Sequence, residues 1–177
     1  MAITDELPVL TQHLFSDYMN IEEFLNLDAT PAYLRYKKTL QLLQFQTEDR
    51  TNPKGWMLKC PIHLFYPRQI AAAFPDAKLI WTHRDPLDAV PSMCSLVKAF
   101  HQVYFDKEGR DDKYLGSRIK MVSEELLRKA PEDIKASKLD CGHVVYTDLI
   151  KDPKAVVQKL YKDFGWDYSP EYDALLD

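Results

Sequence analysis

The chain has 177 residues, 46% of them hydrophobic, and a formal net charge of -4. That length accommodates one domain with a sizeable core, and the mixed, slightly acidic charge excludes the basic stripe of a nucleic-acid polymer binder. No stretch approaches the roughly 20 apolar residues of a membrane span, and the three separated cysteines Cys60, Cys94 and Cys141 do not form a disulfide framework.

In chain order, Leu7, Leu10, Leu14 and Tyr18 recur at helical spacing, so residues 5–19 read as a helix with Pro8 in its first turn. Thr30-Pro31 reads as the next helix start, a hydroxyl cap followed by proline, and Tyr33, Tyr36, Leu40 and Leu43 then line one face. Residues 48–54 read as a loop. Trp56-Met57-Leu58 is expected to begin a short buried strand, and residues 67–74 a short helix stopped by Pro75-Asp76. Residues 78–82 form the second expected strand.

The helix after Asp85 is expected to reach about Tyr104, with Pro91 either kinking it or marking its true start. A charged loop over 106–112 follows, then a helix marked by Leu115, Ile119, Val122 and Leu126, ended by Ala130-Pro131. Residues 143–146 are the third expected strand. Asp152 caps a helix striped by Val156, Leu160 and Phe164 and stopped by Gly165, and Ser169-Pro170 starts a last one. Strands alternating with helices imply βαβ units and a short parallel sheet flanked by helices. The expected organisation is one domain, partial in extent, with a helical region over about 1–50 and an α/β region over about 55–177.

Two places carry candidate chemistry. Arg84 follows the second strand and Ser92 comes eight residues later. An arginine and a hydroxyl beside a helix start suit a phosphate. The alternative is a surface ion pair of Arg84 with Asp85 or Asp88 and an ordinary helix serine. Lys59 and His63 lie where the first strand ends, at the edge where ligands bind in open α/β sheets. A histidine there can act as general base. Its alternative is a capping histidine. His83-Arg84-Asp85 lacks the asparagine a kinase catalytic loop needs, since position 90 is valine. Cys60, His63, Cys141 and His143 do not have zinc-ligand spacing, and no Walker A loop is present.

Together these runs resemble the sulfotransferases that use 3′-phosphoadenosine 5′-phosphosulfate (PAPS), in particular the branch common in bacteria and marine eukaryotes. The matching residues are Gly55-Trp56-Met57-Leu58-Lys59-Cys60-Pro61-Ile62-His63-Leu64-Phe65, Phe74-Pro75-Asp76-Ala77-Lys78, and Thr82-His83-Arg84-Asp85-Pro86-Leu87-Asp88-Ala89-Val90-Pro91-Ser92. Val145-Tyr146-Thr147-Asp148-Leu149-Ile150-Lys151-Asp152-Pro153 and Phe164-Gly165 complete the match.

The resemblance implies a partial P-loop NTPase-like α/β fold. It implies that Arg84 and Ser92 hold the 3′-phosphate of the cofactor, that His63 takes the acceptor's proton, that Lys59 contacts the sulfuryl group, and that Tyr146 lies near the adenine. Asp85 and Asp88 read as helix-capping acids. The expected reaction moves a sulfuryl group to a hydroxyl or amine on a small molecule or glycan, without a metal. The family's opening glycine-containing strand–loop has no counterpart before Trp56, so the chain reads as the middle of such an enzyme, with poor catalysis expected of it alone. The competing functional class is a non-catalytic module that keeps the 3′-phosphate half-site. A nucleotide kinase of the P-loop fold would also need the missing loop. The default location is cytoplasmic, or the Golgi if a preceding segment carried a signal.

Overall fold

A computed structural model describes residues 21–46, 55–104 and 111–176. The expected helix over 5–19 and the loops over 48–54 and 106–110 lie outside them. Two helices open the described chain, α1 (Ile21–Leu25) and α2 (Thr30–Gln46). The start at Thr30 is as expected, but the side chain that secures it is Asp28, whose carboxylate accepts from the Thr30 amide at 2.9 Å. A 3-10 helix (Pro61–Phe65) leads into α3 (Pro67–Ala73). Strand β1 (Leu79–His83) follows, then the long helices α4 (Pro86–Tyr104) and α5 (Asp112–Ser137). Strand β2 (Cys141–Val145), α6 (Tyr146–Lys151), α7 (Pro153–Phe164) and α8 (Pro170–Ala174) complete the order.

Among the described residues the sheet has two strands, β1 and β2, paired in parallel with Leu79 opposite Cys141 and His83 opposite Val145. The main core is built from the helical side. Phe24, Ala29, Ala32, Tyr33, Ile62, Tyr66, Ile70, Ala73 and Val122 are buried together, with Leu79 and Leu139 packed against them. A second cluster of Val97, Leu115 and Ile119 joins α4 to α5. Gly142 in β2 lets α7 close on the strand. A Cβ there would stand 2.8 Å from Leu160 Cδ2 and 2.9 Å from Phe164 Cζ.

Several expectations need correction. Residues 55–60 are irregular rather than a strand. A strand is held by a neighbour's ladder, and no described strand pairs with this segment. Its apolar side chains therefore face solvent: Trp56 is 47% and Met57 84% exposed. Ala130-Pro131 does not end its helix. Proline deletes only the bond to the Leu127 carbonyl, while Ala130 is buried and Arg68 Nε donates to Asp133 Oδ1 at 2.7 Å, holding both sides of the proline to the fold. The helix ends instead at Lys138, which adopts the left-handed conformation at φ 60°. Pro91 likewise lies within α4 and is not its start. The third strand begins two residues earlier than expected and releases Tyr146 to a short helix that the sequence reading missed.

The other helix ends follow their capping chemistry. Asp152 accepts from the Ala155 amide, Ser169 accepts from the Tyr172 amide, and Gly165 ends α7 at φ 66°.

Candidate active site

Parallel register brings together two of the candidate residues. His83 and Val145 are paired at the C-terminal ends of β1 and β2, so the next residue on each strand, Arg84 and Tyr146, leaves the sheet side by side. The Arg84 guanidinium lies 5.0 Å from the centre of the Tyr146 ring. Such a cation–π contact contributes about 0.5–1 kcal/mol at an exposed site and holds both groups in place. Both are exposed, at the sheet edge where open α/β folds bind ligands.

Ser92 is exposed two turns into α4, the helix that Arg84 precedes. Asp85 caps this helix. Its carboxylate accepts from the Leu87 amide at 2.8 Å, and its backbone carbonyl accepts from Asp88 and Ala89. A carboxylate thus already occupies part of the positive helix end. The donors left exposed beside this helix start are the Arg84 guanidinium and the Ser92 hydroxyl. These two are donors, which is the chemistry a phosphate requires.

Beneath Arg84 the sheet carries a row of rings. Trp81 stacks on His83 with ring centres 4.6 Å apart, and His83 stacks on His143 at 5.0 Å. His83 Nε2 and His143 Nδ1 share a hydrogen bond of 2.7 Å. Burial, reinforced by the neighbouring His143, pushes the His83 pKa below its ordinary value. The sequence reading treated neither histidine as part of a pair. They stand 60 positions apart, and only the strand register, with His143 opposite Trp81, brings them together.

The other candidate residues are on the helical side. His63 sits half-buried in the 3-10 helix, and Tyr33 of α2 lies 2.9 Å from it, Oη to Nδ1. Burial lowers the His63 pKa, so the ring is neutral near pH 7 and able to accept a proton. Burial raises the Tyr33 and Tyr66 phenols well above their ordinary range, so both stay protonated. Tyr33 was read from sequence as a helix-stripe aromatic; its hydroxyl contact with His63 depends on how α2 packs across the 3-10 helix. Lys59 is exposed in the irregular segment before that helix, not on a strand. Neither Lys59 nor His63 hydrogen-bonds to Arg84, Ser92 or Tyr146 among the described residues. The described residues contain no cluster of three or more metal-ligating side chains, and no helix long and apolar enough to cross a membrane.

The sequence model described as Sulfotransferase family matches residues 7–170. The chain belongs to the sulfotransferase family. Its sequence is 31% identical over 179 aligned positions to the omega-hydroxy-beta-dihydromenaquinone-9 sulfotransferase Stf3 of Mycobacterium bovis, covering 91% of this chain and 44% of that protein. The Mycobacterium tuberculosis protein of the same name matches to the same extent.

Among solved structures, sulfotransferase STF9 from Mycobacterium avium superposes with a TM-score of 0.80 at 27% identity, covering 94% of this chain and 42% of that one. Sulfotransferase STF1 from Mycobacterium tuberculosis superposes at 0.67 with 31% identity, over 88% of this chain and 41% of that one. The chain therefore has a sulfotransferase α/β fold and spans less than half the length of the relatives it matches.

Proposed function

We propose that the chain carries the nucleotide-holding and proton-accepting parts of a sulfotransferase that moves a sulfuryl group from PAPS to a hydroxyl or amine acceptor. The observation that supports this reading most is the pairing of Arg84 with Tyr146 at the strand ends, in a chain of this family. PAPS, when bound, supplies the sulfuryl group. Arg84 and Ser92 offer a guanidinium and a hydroxyl to its 3′-phosphate, and the Tyr146 ring offers a flat apolar face to its adenine. Lys59, a solvated cation near His63 in sequence, is the residue assigned to the sulfuryl oxygens, where negative charge must be held during transfer.

His63 takes the acceptor's proton. Its lowered pKa keeps the ring unprotonated at neutral pH, which a base requires, and a positioned base supplies about 10²–10⁴-fold in rate. Transfer of this kind needs orientation and charge stabilisation more than covalent chemistry. The Mycobacterium bovis relative is named for an omega-hydroxy acceptor, which supports a hydroxyl as the group to be modified here. The acceptor class proposed for this chain remains a small molecule or glycan bearing that group.

Calorimetric titration with 3′,5′-adenosine bisphosphate tests the nucleotide site. Wild type is expected to bind, and Arg84→Ala to weaken binding about 10- to 100-fold, the contribution of a charge-assisted hydrogen bond. Absence of binding by wild type overturns the nucleotide site, and equal binding by both proteins removes Arg84 from it. A sulfate-transfer assay on His63→Ala then tests the base. If wild type binds nucleotide but transfers nothing to any hydroxyl acceptor, the alternative of a non-catalytic nucleotide-binding module is the better reading.

A further inference from the structure

We infer that Tyr33 is the positioning residue for His63: its hydroxyl engages Nδ1 and so leaves Nε2 as the ring nitrogen that meets the acceptor. This rests on the reading of His63 as the base. The Oη–Nδ1 distance of 2.9 Å is an ordinary hydrogen bond. Tyr33 is 1% exposed, so its hydroxyl is not a surface group that met a histidine by chance of solvation.

Its ring is itself held. Tyr66 meets it edge-on with centres 6.3 Å apart, and Tyr66 donates its own hydroxyl to the Phe24 carbonyl at 3.3 Å. Phe24 in turn packs edge-on against Tyr66 at 6.2 Å. The ring orientation of His63 thus runs back through two buried phenols to α1.

A phenol at this place does what a carboxylate would not. A carboxylate beside Nδ1 would raise the imidazole pKa and leave the ring charged at neutral pH. Among the described residues, the titratable groups that act on Tyr33 are Tyr66, Cys60 and Tyr36, and burial is the cause of the His63 shift. None of these groups is a carboxylic acid. The ring therefore waits neutral.

A hydroxyl can both donate and accept. When the acceptor gives up its proton, the acceptor O–H bond breaks, its electron pair stays on oxygen, and an Nε2–H bond forms. The neutral ring carries its hydrogen on Nδ1 and donates it to Tyr33 Oη, which leaves the Nε2 lone pair free for that proton. The new imidazolium carries hydrogen on both nitrogens and keeps the Nδ1–H bond to Tyr33 Oη. That bond is charge-assisted, so it strengthens as the proton arrives.

Tyr33→Phe removes the hydroxyl and keeps the ring. Nitrogen-15 NMR of histidine-labelled protein reads the result, with His63→Ala used to assign the signal. In wild type the neutral His63 ring is expected to be dominantly the Nδ1–H tautomer. A dominant Nε2–H tautomer, or two equally populated tautomers, in wild type overturns the inference without any variant. In Tyr33→Phe the tautomers are expected to mix and the His63 pKa to fall further below its wild-type position, because a buried imidazolium N–H has lost its acceptor. An unchanged tautomer and pKa in a folded Tyr33→Phe protein also overturn it.

In the transfer assay, kcat is expected to drop about 10- to 100-fold with the KM for PAPS unchanged, and the acid limb of the kcat profile to move with the His63 pKa. If the NMR signals move as expected while kcat and its pH profile stay put, His63 is not the base. That result overturns the proposed mechanism and leaves the Tyr33 contact standing.

Discussion

Gly142→Ala tests how closely α7 lies on β2. A Cβ at this position would sit 2.8 Å from Leu160 Cδ2, and 2.9 and 3.1 Å from Phe164 Cζ and Cε2. Carbon atoms in favourable contact stand about 3.5–4.0 Å apart, so each neighbour must withdraw by roughly 0.7 Å or α7 must lift. Overpacking of this kind costs about 1–3 kcal/mol. Both neighbours are half-buried side-chain ends that can swing aside, which places the expected cost at about 1–2 kcal/mol. For a chain of this size the thermal midpoint should fall by about 2–8 °C.

The comparison variant is Gly116→Ala. Gly116 lies within α5 with nothing inside 4 Å of its virtual Cβ, so alanine there should stabilise the helix by about 1 kcal/mol. Calorimetric or circular-dichroism melting of the two variants side by side is the assay. A third protein, Gly142→Ala with Leu160→Ala, should lose less stability than the sum of its parts, because the second change removes one clash. A midpoint for Gly142→Ala equal to wild type, or raised like that of Gly116→Ala, would refute the close approach of α7 to β2.

Two further outcomes follow from the structure. His63 and His83 both have folded pKa values below the ordinary 6.5, so the unfolded chain binds more protons than the folded one once pH falls under that value. Stability should therefore be fully present above about pH 7 and decline as pH falls through 6.5 toward the lowered folded values; melting of wild type and His63→Gln at pH 7.5 and 5.5 should show the smaller loss in the variant. Pro131→Ala should raise the melting midpoint, since it restores the N–H that the Leu127 carbonyl lacks within a continuous α5; the gain is about 1–3 kcal/mol, and a lowered midpoint would show that the proline's packing outweighs its missing donor.

Much of the helical framework was legible because its signals are local. Asp152, Ser169 and Gly165 act on backbone groups within four residues of themselves, so their sequence positions name the helix ends. The strand over 56–58 was misread for the opposite reason. Its apolar run matches a strand, but a ladder needs a partner that local sequence does not reveal. Pro131 was misread because a proline's cost is local while the packing of Ala130 and the Arg68–Asp133 ion pair that offset it are not.

The candidate site divides in the same way. The sequence by itself determined which residue types lie around which expected element: Arg84 and Ser92 around one helix start, Tyr146 at the end of another strand, and Lys59 and His63 before the helix at Pro67. It also determined the family resemblance that these runs carry. Only the tertiary structure decided which of them meet. Parallel register set Arg84 on the Tyr146 ring and His83 against His143 across 60 residues of chain, because pairing in a sheet depends on where two strands align and not on what either contains. The packing of α2 across the 3-10 helix set Tyr33 on His63, turning an aromatic of the helix stripe into a hydrogen-bond partner of that histidine.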